Sequence, residues 1–247
     1  MSWNSILGFV ATIALFFPII FILALRLSRY RTFLALLLYY SLVLAYNLLS
    51  QGYIHAGPEV IRGWGIGNNL LDAPLLLIAL TYYSPSNRLT TRMHLLVLLV
   101  LLFEMVVILL NGFSVKAITV VMAPNLAMIL CFCFSFFIRQ VRITVMHSKA
   151  LGKSLMISSL LFAYGCYSLI YLMYYVFRTP HKEDTFLVYF LVTIFSSCLM
   201  AAGILVESKW IRKLEEARIA RRELLQIYQD RARPVVLRQP IAQGELD

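Results

Sequence analysis

Histidine and cysteine are scarce in this sequence, at four residues each, and neither is grouped for chemistry. His55, His94, His147 and His181 fall in loops or at the ends of apolar runs, so none stands beside a carboxylate inside a run. That excludes a zinc or diiron membrane enzyme, which needs converging imidazole and carboxylate ligands. Cys131, Cys133, Cys166 and Cys198 lie within apolar runs, where thiols serve as small packing residues. Cys131 and Cys133 are two apart and fall on different faces of a helix, so they are not a metal pair. There is no serine nucleophile elbow and no phosphate-binding glycine loop. No internal repeat is evident, which argues against an inverted-repeat transporter. Met1 to Ser5 carries no basic residue, and the first apolar run, Ile6 to Leu25, is long enough to span. The expectation is a retained helix rather than a signal peptide.

What the chain has instead is apolar length. It holds 247 residues, 61% of them hydrophobic, with a mean hydropathy of +0.80. A soluble domain is about 45–50% apolar, so the fold class expected is an all-α membrane protein. Seven spans are predicted, at 6–27, 32–51, 64–83, 94–111, 115–138, 154–177 and 185–206. Most carry close to the roughly 20 apolar residues that a bilayer core needs. Pro18 and Pro124 fall inside spans, which is tolerated where neighbours satisfy the freed carbonyl. The loop 52–63 is the longest on its side and holds Gly57-Pro58, a turn signal that suggests a short turn or hairpin.

The net charge of +10 is localised, with nine of 22 Lys and Arg after Val206. Basic loops flanking spans follow from the positive-inside rule and anionic lipid, not from nucleic-acid binding. Arg26, Arg29 and Arg31, then Arg88 and Arg92, then Arg139, Arg142, Lys149 and Lys153 mark one side, with the tail. Arg62, Lys116, Arg178 and Lys182 are the sparse basic residues of the other. The N-terminus is therefore expected outside and the C-terminus in the cytoplasm, with the chain in an inner (plasma) membrane.

Three parts follow: a bundle at 1–206, a basic amphipathic cytoplasmic helix at 207–233 and a flexible tail at 234–247. In the helix, Trp210, Leu214, Ala217, Arg221, Leu224 and Tyr228 recur at steps of four and three, a short heptad seam broken by Arg221. Pro234 is expected to end it. Trp210, Leu214, Ala217, Leu224 and Tyr228 are the residues expected to meet a protein partner.

The third span carries the main polar interruption. Asn68, Asn69 and Asp72 put both amides on the face of the carboxylate. A charge at bilayer depth costs about 2.5 to over 10 kcal/mol, so Asp72 must face a protein interior or a water-filled cavity. The group is either a ligand pocket or proton site, or a polar clamp between helices. Glu104, near the middle of the fourth span, is either a second proton or ion site or a carboxyl bonded to a neighbouring helix. Nothing in the sequence brings it to Asp72 for acid–base work. Tyr164, Tyr167, Tyr171 and Tyr174 form a stripe on the sixth span, whose hydroxyls need partners when buried. It either lines a pocket for a flat or elongated apolar ligand or packs between helices. Tyr39, Tyr40, Tyr46 and Asn47 add polar groups on the second span.

The run Asn68-Asn69-Leu70-Leu71-Asp72-Ala73-Pro74-Leu75-Leu76-Leu77 resembles the third helix of microbial rhodopsins, with a carboxylate and then a proline followed by leucines. The topology over 1–206 is similar as well, and the stripe around Tyr164 is similar to the aromatic retinal wall of that family. The chain departs from the family where the chemistry lies. The middle of the seventh span reads Phe195-Ser196-Ser197-Cys198-Leu199-Met200, and no span has a lysine at mid-membrane. Asp72 is only two residues before Pro74, and the counter-ion position falls on Asn68. Covalent retinal and light-driven pumping are therefore not implied. A bundle running into a basic heptad helix also resembles the membrane half of bacterial sensors, here with no kinase, cyclase or regulator domain behind it, so output would pass through a partner or there would be none.

The reading that joins these features is a non-enzymatic receptor-like or interaction module. Its pocket would be lined by Asn68, Asn69, Asp72, Tyr164, Tyr167, Tyr171 and Ser197, and a non-covalent apolar ligand would fit it. The alternatives are a proton-coupled transporter using Asp72 and Glu104, a structural subunit of a larger complex and, weakest, an intramembrane enzyme on a lipid or isoprenoid. A homo-oligomer remains open.

Overall fold

The computed structural model describes residues 3–147, 150–173 and 182–232, with side chains described over 5–146, 150–173 and 187–225. Among these there are seven α-helices and no strand: α1 (Trp3–Ala24), α2 (Arg31–Ser50), α3 (Pro58–Leu80), α4 (Asn87–Asn111), α5 (Val115–His147), α6 (Leu151–Tyr171) and α7 (Lys182–Ala232). Six are long and apolar enough to cross a membrane, which is consistent with a multi-pass membrane protein. The exception is α3, at 23 residues long enough to span but diluted by Asn68, Asn69 and Asp72. The chain forms two compact units, Met1–Ser208 and Lys209–Asp247.

Helix boundaries follow local chemistry. Pro58 opens α3 after Gly57, because proline is pre-set for the first helical position and its missing N–H costs nothing there. Half of the expected 52–63 turn is thus helix. Ser86 caps α4, its hydroxyl accepting from the Leu89 amide at 3.4 Å. α4 ends at Gly112, which holds φ 67, a conformation that glycine takes without strain. α4 therefore starts seven residues before the predicted span, and α5 runs nine residues past its own. The sequence reading undercounted both because polar ends of helices carry no apolar signal. The expected end of the sixth span, with Tyr174, lies outside the described residues, as do Pro234 and the tail.

In the first unit α3 is central, packed against α2, α4 and α5, while α5 also packs on α6 and α1 on α2. Leu76, Leu77 and Leu80 of α3 are fully buried. Ile66 and Leu70 meet Val107 of α4 and Ala117, Ile118 and Val121 of α5 in one apolar cluster. α6 and α7 approach backbone to backbone. A Cβ on Gly152 would stand 2.6 Å from the Glu207 nitrogen, and one on Gly203 2.9 Å from the Met156 nitrogen. Small residues at such crossings are how helices pack in lipid, where no hydrophobic effect drives them together.

From Leu95 to Leu110 the outer face of α4 is apolar. Leu95, Leu98, Leu99, Leu102, Met105 and Val106 are exposed, and Leu109 and Leu110 are each 79% exposed. In water this is an aggregation surface, and against lipid it is an ordinary one. Cys131 is exposed and Cys133 buried, on different faces of α5.

In the second unit α7 continues as a helix through Ala232. Leu214, Ile219, Leu224 and Leu225 are exposed there.

Candidate interior polar site

Asp72 projects from α3 toward α6, and its Oδ1 accepts a 2.5 Å hydrogen bond from the Tyr164 hydroxyl. Tyr164 is 1% exposed and Asp72 half-buried, so the bond is sheltered on the tyrosine side. The Tyr164 hydroxyl also lies 3.4 Å from that of Tyr39 on α2. Three helices thus meet at one carboxylate.

The tyrosines continue along the bundle. Tyr164 packs edge-on against Tyr167, centroids 5.7 Å apart, and Tyr167 stacks on Tyr189 of α7 at the same distance. Tyr39 meets Tyr40 edge-on at 5.1 Å. The Tyr167 hydroxyl is 3.2 Å from Thr193 Oγ1, which itself donates to the Tyr189 carbonyl at 2.8 Å. With its proton so committed, Thr193 accepts and Tyr167 donates. Nearby, Ser159 on α6 donates to the Ser196 carbonyl on α7 at 2.7 Å.

The other predicted residues divide. Tyr171 donates to the Thr119 carbonyl of α5 at 3.0 Å, so it also serves a junction between α6 and α5. Ser197 on α7 is 1% exposed, and its hydroxyl has no hydrogen-bond partner among the described residues. The Asn47 amide nitrogen on α2 is buried in the same condition. Asn69 does not reach Asp72: its amide donates to the Gly65 carbonyl one turn back, at 2.7 Å. Asn68 is half-buried.

Glu104 forms a separate centre. It is 4% exposed, and its Oε1 accepts from Asn125 of α5 at 2.9 Å. The two carboxylates are each bonded to a different helix, Asp72 to α6 and Glu104 to α5. Among the described residues, no three His, Cys, Asp or Glu side chains converge on a point that could hold a metal.

A second polar junction was not foreseen. The Tyr82 hydroxyl, just after α3, donates to Glu207 Oε1 of α7 at 2.6 Å. Lys153 of α6 places its ammonium 4.4 Å above the Tyr82 ring. Glu207 is 1% exposed although it lies just past the apolar run of α7. One signal was available: Met200, Gly203, Ile204 and Glu207 continue a single 3–4 period, so Glu207 extends the buried stripe of α7. A small, half-open apolar pocket lies beside this junction, lined by Phe33, Tyr82, Met156 and Met200.

No family model matches the chain, and no curated protein or solved structure is similar to it.

Proposed function

We propose that this chain is a non-enzymatic, receptor-like module of an inner (plasma) membrane. It crosses the membrane seven times, α3 included, with its N-terminus outside and its C-terminal helix in the cytoplasm. The interior site around Asp72, Tyr164, Tyr167 and Ser197 takes a flat or elongated apolar ligand without covalent attachment. The helix after Ser208 carries the output to a protein partner.

The observation that carries this reading is the span of α7. One helix supplies Tyr189, Thr193 and Ser197 to the tyrosine-lined interior and also carries the exposed apolar residues after Ser208. A change in how Tyr167 and Thr193 pack is then a change in the output helix itself. The loop charges support the orientation, and the bonds made by Asp72 and Asn69 support α3 as a span whose polar groups are satisfied internally.

Hydrogen exchange on the full chain in lipid nanodiscs tests the link. Asp72→Asn or Tyr164→Phe should change exchange in 209–232 several-fold, and Leu109→Ala on the lipid face should not. Unchanged exchange in both interior variants sinks the reading.

The presence of two carboxyls bonded between helices, Asp72 and Glu104, favours a second reading, a proton-coupled transporter. It expects Asp72→Asn to abolish proton movement in reconstituted vesicles, and a variant with undiminished flux would remove it.

A further inference from the structure

The helix of the second unit has one apolar stripe. At about 100° per residue, Trp210, Leu214, Ala217, Leu224 and Leu225 fall within an arc of roughly 100°. Leu214, Leu224 and Leu225 are 43%, 54% and 55% exposed. The charges that flank that stripe are all basic. Arg221 lies within the stripe, and the first charged rows on its two sides are Lys213 and Arg218, with Lys209 and Arg222 behind them. Glu215, Glu216 and Glu223 fall toward the opposite side, where Arg212 and Ile219 also lie.

This pattern discriminates between occupants. Flanking charges set partner choice in paired helices. A second copy of the chain brings Lys213 against Arg218 in a parallel pair, and like against like in an antiparallel one, with Arg221 in the seam each time. Like charges across an interface are a device against the wrong partner. The geometry points to a partner helix with its own apolar seam and Glu or Asp on both flanks, docking on Trp210, Leu214, Ala217 and Leu224 by charge complementarity. This inference rests on the reading of α7 as the output element, and it adds the chemistry of what binds there.

The test uses the full chain in zwitterionic nanodiscs and a synthetic three-heptad peptide with Leu in the seam and Glu on both flanks. A Lys-flanked peptide of the same seam is the control. The Glu peptide should bind at least about tenfold tighter, and its binding should weaken as salt rises from about 0.05 to about 0.5 M. The double change Lys213→Glu with Arg218→Glu should reverse the preference. Equal binding of both peptides, or a preference that the double change leaves in place, overturns the proposal. So does a Leu214→Cys chain that forms a disulfide dimer which the Glu peptide does not compete away, because the occupant is then a second copy. A shift of Trp210 emission on moving to anionic nanodiscs that blocks the Glu peptide assigns the stripe to lipid and also overturns it. These outcomes concern the partner's chemistry alone. Loss of the exchange coupling from Asp72 would instead remove the receptor reading and leave peptide binding intact.

Discussion

The hydroxyl of Tyr82 donates a 2.6 Å hydrogen bond to Glu207 across 125 positions of sequence, joining the end of α3 to α7. The carboxyl it reaches is 1% exposed, and the ring that carries it lies under the Lys153 ammonium. Removing the hydroxyl leaves a buried acceptor without its donor, which costs about 1–3 kcal/mol. Tyr82→Phe should lower the unfolding midpoint in detergent accordingly. Glu207→Gln keeps an acceptor and should cost less. Equal midpoints for Tyr82→Phe and the parent chain would show that the bond contributes nothing.

Asp72 and Tyr164 should be energetically coupled. In a double-mutant cycle of Asp72→Asn and Tyr164→Phe, residues that share one hydrogen bond give an interaction energy of about 0.5–3 kcal/mol. Denaturation of the four proteins in one detergent reads it out. Strict additivity would mean that the two side chains act independently.

Close packing of α6 on α7 makes Gly152 intolerant of a methyl group. Gly152→Ala puts a Cβ 2.6 Å from backbone, and overpacking of this kind costs about 1–3 kcal/mol. Gly165, on the same helix, has nothing within 4 Å of its Cβ position. Gly165→Ala should be neutral or stabilise by about 0.5–1 kcal/mol, since alanine is the better helix former. If both changes behave alike in thermal melts, the approach of the helices is not as close as described.

The spanning of α3 has a direct test by labelling. In a chain cleared of its four cysteines, single cysteines at Gly57 and Ser84 should react with a membrane-impermeant thiol reagent from opposite sides of sealed vesicles. Ser84 should react from the side that also holds Arg31. Labelling of both from one side would make α3 re-entrant or interfacial.

How far the sequence could be read depended on what each feature is made of. α4 is legible because its apolar side chains outnumber everything else along its length. α3 is legible as a polar interruption, and Asp72 as its centre, because a carboxylate among leucines has few options. Its partner is not legible: Tyr164 lies 92 residues away, and the tyrosine stripe of α6 marks candidates without choosing among them. Tyr171 belongs to that stripe yet bonds a backbone carbonyl of α5, which no residue-type pattern encodes. Asn69 shares a helix face with Asp72, yet its amide bonds the Gly65 carbonyl one turn back, a backbone contact that no residue-type pattern encodes. Glu207 escaped notice because it opens a charge-rich stretch where glutamate looks ordinary. Its burial is set by Tyr82, whose pairing is a matter of tertiary structure.

The outer face of α4 has a consequence for how the chain comes into being. Burying one large apolar side chain is worth about 1.5–3 kcal/mol, and this face presents eight that the described residues leave more than half exposed. Such a helix has no tolerable waiting state in water. It has to pass from the ribosome into lipid as it is made, so translation without membranes should yield aggregate, and membranes added after synthesis should fail to recover folded protein.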